Sequence, residues 1–274
     1  MVSAWSEWRI VMSVTGIVTA TVVVGAVGLL IGLFLGIAAI KFKVEVDEKE
    51  EAVLGVLPGN NCGGCGYAGC SGLAAAIAKG EAPVNGCPVG GEAVGQKVAE
   101  IMGVEAQSGV KKVAFVKCQG TCDRTKTDYA YQGVEDCRIM AFVPGGGPKT
   151  CNYGCMGYGS CVKECPFDAI HIVDGVAVVD PEKCKACGKC IAVCPKQLIE
   201  LIPYNARHVV ACSSQDKGPV AMKACTTACI GCGICVKNCP AGAVTVENLH
   251  AHINQEKCTG CGICKEKCPK KAIL

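Results

Sequence analysis

Cys229-Ile230-Gly231-Cys232-Gly233-Ile234-Cys235-Val236-Lys237-Asn238-Cys239-Pro240 is the stretch that decides the fold. Its thiols are spaced C-x2-C-x2-C-x3-C-P, and Cys258, Cys261, Cys264 and Cys268-Pro269 repeat the pattern. Thiolates at this fixed spacing are ligands for a [4Fe–4S] cluster. The rest of the composition agrees. Cysteine supplies 25 of 274 residues, a share normally met in small secreted disulfide scaffolds. This chain is too long for that class, and its thiols are grouped rather than dispersed, which is the pattern of metal ligands. Aromatic residues make up only 5%, so one large aromatic core is excluded.

Two consecutive runs of this kind are the mark of bacterial ferredoxins, whose fourth Cys crosses to the other cluster. Cys229, Cys232 and Cys235 are therefore expected with Cys268, and Cys258, Cys261 and Cys264 with Cys239. Upstream the design recurs with a change. Cys184, Cys187, Cys190 and Cys194-Pro195 form a standard run, but Cys151, Cys155, Cys161 and Cys165-Pro166 are spaced C-x3-C-x5-C-x3-C-P. When the modules are aligned, Lys149-Thr150-Cys151 matches Lys223-Ala224-Cys225, Cys155 matches Cys229, and Tyr158 falls where Cys232 stands. Cys151 is the expected substitute ligand, giving Cys151, Cys155, Cys161 with Cys194, and Cys184, Cys187, Cys190 with Cys165. The repeat reaches back to Val113-Ala114-Phe115-Val116-Lys117-Cys118 and His208-Val209-Val210-Ala211-Cys212, both expected as short β-strands. Cys118, Cys122, Cys137, Cys212 and Cys225 lie outside these sets. The first three either bind a sixth cluster with a borrowed ligand or are buried packing thiols.

Cys62, Cys65, Cys70 and Cys87 form a separate group, C-x2-C-x4-C-x16-C, among glycines that let the chain wrap a bulky inorganic core. Helices are expected over 71–79 and 92–102. Four thiolates alone suit zinc or an iron–sulfur cluster; the downstream runs favour the latter. Cys87, Cys165, Cys194, Cys239 and Cys268 each precede Pro, one per cluster, so five [4Fe–4S] centres are expected, with a sixth left open. The formal charge of +3 then misleads, because five such clusters add about −10 and bring the loaded chain to about −7. No basic block marks a nucleic-acid partner. Lys183, Lys185, Lys189, Lys257, Lys265 and Lys267 lie beside the Cys runs; they either dock an acidic redox carrier or are ordinary solvated surface. No G-x-G-x-x-G opens a helix after a strand, and no phosphate-cradling P-loop is present. His171, His208, His250 and His252 stand in no ligand or catalytic spacing. The chemistry is one-electron transfer, with no catalytic residues otherwise.

Ile10 to Ile40 carries no charged residue, and about 20 apolar residues span a bilayer core. A cleaved signal peptide has a shorter apolar region, and a buried soluble helix of this length is unusual, so a retained anchor is the reading. Arg9 precedes the span while Lys41 and Lys43 follow it, which places the cluster-bearing bulk in the cytoplasm. Gly28, Gly32 and Gly36 share one helical face, either for close approach of another membrane helix or incidentally. A charged linker is expected from Glu45 to Glu51.

These features together resemble the B subunit of Rnf complexes, the ion-translocating ferredoxin:NAD oxidoreductases. The resemblance is carried by Leu57-Pro58-Gly59-Asn60-Asn61-Cys62-Gly63-Gly64-Cys65-Gly66-Tyr67-Ala68-Gly69-Cys70, by Cys87-Pro88 and by Gly90-Gly91-Glu92-Ala93-Val94, and covers nearly the whole chain. It implies an electron-transfer subunit that takes electrons from soluble reduced ferredoxin. They would pass through [4Fe–4S] clusters to integral-membrane and NAD-binding subunits, coupled to Na+ or H+ translocation. It implies a single-pass protein of the inner (cytoplasmic) membrane with its clusters on the cytoplasmic side. The chain departs from the simplest members in having two ferredoxin-like modules, and leaves little room for a closing strand after Cys268. The expected fold class is α+β: an anchor (1–43), a small helical four-Cys domain (44–108), and two tandem dicluster ferredoxin-like modules (109–204 and 205–274). The other readings are an anchored polyferredoxin-like carrier for another membrane oxidoreductase, and a non-redox scaffold with structural clusters or zinc.

Overall fold

The computed structural model describes residues 14–41, 47–105 and 109–274. Arg9, Lys43, the start of the uncharged stretch at 10–13 and linker residues 45 and 46 lie outside the described residues. Two compact units are resolved, Met1–Asp47 and Glu48–Leu274. In the first, α1 runs Val14–Lys41. Its segment Gly16–Ala38 has a mean hydropathy of 2.5 and is long and apolar enough to cross a membrane. Leu29, Leu30 and Phe34 are more than two-thirds exposed on it. The hydroxyls of Thr19 and Thr21 donate back to the carbonyls of Gly16 (3.0 Å) and Ile17 (2.8 Å), so these polar groups are satisfied within the helix, as an apolar medium requires.

The second unit opens with three helices, α2 (Glu48–Val56), α3 (Cys70–Ala78) and α4 (Gly91–Met102). The last two fall within a residue of expectation. α2 corrects the expected charged linker: Glu48, Glu50 and Glu51 sit in its first turn, where the helix dipole favours them. Val53 on its other face, and Leu57 just past its end, are buried with Leu73, Ile77 and Val98. Burying each such side chain contributes about 1.5–3 kcal/mol, enough to turn an acidic segment into a helix. Gly103 ends α4 in the left-handed conformation, as a helix C-cap commonly does.

The remaining elements are short. β1 (Lys112–Val116) pairs antiparallel with β4 (Ile199–Pro203), Val113 opposite Ile202. Between them lie the hairpin β2 (Ile170–Val173)–β3 (Val176–Val179) and the one-turn helices α5 (Ser160–Lys163) and α6 (Lys189–Val193). The second half repeats this: after α7 (Gly218–Ala224) come α8 (Ile234–Lys237), the hairpin β5 (Val244–Glu247)–β6 (His250–Ile253), and α9 (Ile263–Glu266). Of the two expected strands, 113–118 forms as β1. The segment 208–212 shrinks to a single bridge, Val210 to Ile273, flanked by Ala211 N–H to the Ala272 carbonyl (2.9 Å) and Leu274 N–H to the Val209 carbonyl (2.9 Å). Only three residues on the far side are paired with it, too few for a ladder. The cores of both modules mix Val, Ile and Ala with the cysteines themselves, so much of what hydrophobic packing does elsewhere falls here to whatever the thiols bind.

Candidate metal centres

Each one-turn helix of the two modules begins after a glycine in the left-handed region, Gly159, Gly188, Gly233 and Gly262. An L side chain there is strained. The turn swings the third thiol of each run toward the first, and the same device at four positions builds four similar sites. The fourth thiol is also placed by a repeated contact. The sulfurs of Cys165, Cys194, Cys239 and Cys268 each accept the backbone N–H four residues on, from Ala169, Leu198, Ala243 and Ala272, at 3.3–3.4 Å. Ala114 donates to Cys184 and Ala251 to Cys229, both at 3.4 Å. Amides aimed at sulfur stabilise thiolate ligands and tune cluster potentials.

Four cavities result. One is lined by Cys229, Cys232, Cys235 and Cys268, a second by Cys239, Cys258, Cys261 and Cys264, and a third by Cys165, Cys184, Cys187 and Cys190. These bring together the crossed sets that the spacing predicts. The fourth differs. Its cysteines are Cys155, Cys161 and Cys194 with Cys137, not Cys151. The reason is local. The Asp136 carboxylate accepts from the Arg138 backbone (2.9 Å), the Arg138 guanidinium (2.8 Å) and the Ser160 hydroxyl (3.0 Å), while that same hydroxyl accepts the Cys137 N–H (3.0 Å). This knot fastens Cys137 beside Ser160 and so beside Cys161. The hydrogen bonds from Arg138, and its charge, hold the Asp136 carboxyl well below the usual carboxylate range. Tyr158, standing where a ligand is missing, has its hydroxyl pushed up by burial.

Cys151 lines a different cavity, with Cys118, Cys212 and Cys225. Cys122 is exposed and lines none of these cavities. In the helical domain, Cys65, Cys70 and Cys87 pack on one side of the buried Val53–Leu73 cluster. Asn61 Oδ1 accepts the Cys70 N–H (2.8 Å), and Gly90 N–H donates to the Cys87 sulfur (3.3 Å). This domain abuts the first module closely: a Cβ on Gly64 would stand 2.6 Å from the Cys187 carbonyl oxygen. His208, which stands in no ligand or catalytic spacing, forms part of the wall of the Cys239–Cys264 cavity.

Burial pushes thiols up at Cys190 and Cys235, to about 11, and at Cys161, to about 12, with neighbouring thiols adding to the effect. Such groups become thiolates only against strong positive charge, which iron supplies. Zinc fits less well. Among the described residues, no three Cys, His, Asp or Glu side chains converge as one tetrahedral ion needs, whereas a cubane core takes thiols spread around a wider volume. The residues present therefore fit [4Fe–4S] clusters.

The fold and these cavities define an iron–sulfur electron-transfer protein with an apolar helix of membrane-spanning length. Residues 57–89 match a family described as a putative Fe-S cluster, 177–200 a 4Fe-4S binding domain, and 228–273 a 4Fe-4S dicluster domain. The chain is 49% identical to the B subunit of the Na(+)-translocating ferredoxin:NAD(+) oxidoreductase complex of Acetobacterium woodii, over 86% of this chain and 71% of that one. It is 42% identical to the B subunit of the ion-translocating oxidoreductase complex of Methanosarcina acetivorans, covering 94% and 97%. With the B subunit of the proton-translocating ferredoxin:NAD(+) oxidoreductase complex of Clostridium ljungdahlii the identity is 40%, covering 87% and 84%. The chain belongs to the family of B subunits of these ion-translocating Rnf complexes.

Proposed function

We propose that this chain is the electron-transfer subunit of a membrane-bound Rnf complex. It takes electrons from reduced ferredoxin and passes them toward NAD reduction in another subunit, coupled to Na+ or H+ translocation. The observation that carries the reading is the succession of four-cysteine cavities through one compact unit. Clusters bound there supply one-electron redox chemistry; the chain's own part is to hold them close, shield them from water and aim amides at their sulfurs.

The proposed ligand sets are Cys62, Cys65, Cys70 and Cys87; Cys165, Cys184, Cys187 and Cys190; Cys137, Cys155, Cys161 and Cys194; Cys229, Cys232, Cys235 and Cys268; and Cys239, Cys258, Cys261 and Cys264. The four module cavities support the last four sets, and the packing of Cys65, Cys70 and Cys87 in the helical domain supports the first, to which Cys62 is assigned by its spacing. The same reading divides the chain into an anchor (1–43), a four-Cys domain (44–108) and two modules (109–204, 205–274). α1 is the single anchor in the cytoplasmic membrane, with the clusters on the cytoplasmic side. Reducing conditions there keep the thiols available, and Lys41 follows the span as the positive-inside rule asks. Integral-membrane and NAD-binding subunits are the expected neighbours, since the sequence carries no P-loop and no G-x-G-x-x-G opening a helix after a strand.

The test is ferredoxin-driven NAD reduction by membranes carrying the assembled complex with Cys258→Ala or Cys232→Ala. The activity is expected to vanish while the protein stays in the membrane. Full activity in an assembled variant would contradict the proposal.

A further inference from the structure

Cys118, Cys151, Cys212 and Cys225 are left over once the five ligand sets are filled, together with Cys122. They do not scatter. All four line one cavity at the junction of the two ferredoxin-like modules. Its empty volume, about 370 Å³, falls inside the 300–430 Å³ spanned by the four cavities of the standard sets.

The four thiols come in two equivalent pairs. Cys118 follows β1, and Cys212 follows the Val210–Ile273 bridge that stands in the place of β1 in the second module. Cys151 precedes Cys155 by four residues, as Cys225 precedes Cys229. The hydrogen bonds repeat as well. The Cys118 sulfur accepts the N–H of Gly120, two residues on, and of Cys155, each at 3.4 Å. The Cys212 sulfur accepts the N–H of Ser214, also two residues on, at 3.5 Å and of Cys229 at 3.2 Å. Two amides on each sulfur suit an anionic thiolate ligand far better than a neutral packing thiol. Backbone ties knit the junction shut around them. Lys126 N–H donates to the Ala224 carbonyl (3.3 Å) and Thr226 N–H to the Arg124 carbonyl (2.9 Å), and Thr125 bridges Cys225.

We propose that Cys118, Cys151, Cys212 and Cys225 hold a sixth [4Fe–4S] cluster, shared by the two modules and placed between the Cys137–Cys194 site on one side and the Cys229–Cys268 site on the other. The proposal deepens the electron-transfer reading and rests on it for its role. Cys155 and Cys229, which donate to the junction sulfurs, are themselves ligands of the flanking sites. The sixth site therefore turns two separate dicluster modules into one unbroken row. It also explains why each module keeps a thiol before its first standard ligand. With this site filled, six groups of four account for every cysteine of the chain except the exposed Cys122.

The test is iron and acid-labile sulfide on the full-length protein isolated without oxygen. About 24 of each per chain are expected, against about 20 for five clusters. Cys151→Ala and Cys225→Ala should each lose about four iron, with the spin count of the dithionite-reduced protein falling by about one-sixth. Cys122→Ala should keep the full count. About 20 iron in the wild type, or a full count in both junction variants, would overturn the sixth site. The wild-type count decides even where a variant fails to fold. A protein with about 24 iron whose clusters ferredoxin does not reduce would leave the site standing and sink the electron-transfer reading instead. About 20 iron, all ferredoxin-reducible, would do the reverse.

Discussion

Replacing Lys149 by Met should lower the reduction potential of the centres beside it without emptying them. Lys149 is buried, with 8% of its surface exposed. Its ammonium donates to three carbonyls, of Cys155 (2.8 Å), Gly175 (2.8 Å) and Gly120 (3.2 Å). It lines the junction cavity and favours the thiolate of Cys155. A reduced cluster carries one more negative charge than an oxidised one, so a cation here favours reduction. At an effective dielectric of about 20, a unit charge this near contributes on the order of 2–3 kcal/mol. For one electron that is a fall of roughly 100 mV on removal, at about 2.3 kcal/mol per 100 mV. Met keeps most of the side-chain volume but leaves three carbonyls without a donor, costing on the order of 3 kcal/mol. Iron content must therefore be checked first. The assay is an EPR-monitored redox titration of wild type, Lys149→Met and Lys149→Arg. One or two of the centres should shift down in the Met variant and stay near wild type in the Arg variant. Unchanged midpoints throughout, in a Met variant with full iron, would refute the electrostatic argument.

Gly64→Ala places a Cβ 2.6 Å from the Cys187 carbonyl oxygen and 2.9 Å from its Cα. Backbone cannot rotate away, so the four-Cys domain must shift outward at a cost of about 1–3 kcal/mol. Limited proteolysis between the domains should speed up severalfold while iron content holds; an unchanged rate would contradict the close approach. Asp136→Asn removes the anionic anchor of the Cys137 segment. Because the folded carboxyl sits below its ordinary value, its contribution is present above the unfolded pKa, about 3.9, and is lost as pH falls through the folded one. At neutral pH the variant should lose about four iron per chain on mild chelation, whereas wild type should retain them; equal retention would clear Asp136 of that role. Lys257, Lys265 and Lys267 are exposed around the last cavity. Changing all three to Glu should slow association with an acidic ferredoxin about tenfold or more at low salt, with little difference at high salt. A rate insensitive to the change would move the docking face elsewhere.

The standard runs were legible because ligand spacing along a tight loop is also spacing in space: three thiols within seven residues, turned by one glycine, have few ways to miss a common centre. In the helical domain, α3 was legible from its run of Ala, Leu and Ile. Cys137 was not, because it enters its cavity through the Asp136–Arg138–Ser160 knot, which joins residues 24 apart in sequence and has no fixed spacing. Counting from Cys155 made Cys151 the nearest substitute, when its side chain lines the junction cavity. A signal was available in the alignment of the modules. It paired Cys118 with Cys212 and Cys151 with Cys225, and two equivalent pairs left over in tandem repeats point to one shared site. α2 was hidden because its acidic residues lie on the solvent side, and Val53 and Leu57 reveal a buried face only once α3 and α4 are packed against them.

The central claim is that the thiols hold reducible clusters rather than structural metal. Metal analysis of the anaerobic full-length protein, followed by dithionite reduction monitored by EPR, tests it most directly. Iron with matching sulfide, visible absorbance that bleaches, and overlapping low-potential [4Fe–4S] signals are the predicted result. Zinc in place of iron, or clusters that dithionite never reduces, would contradict it.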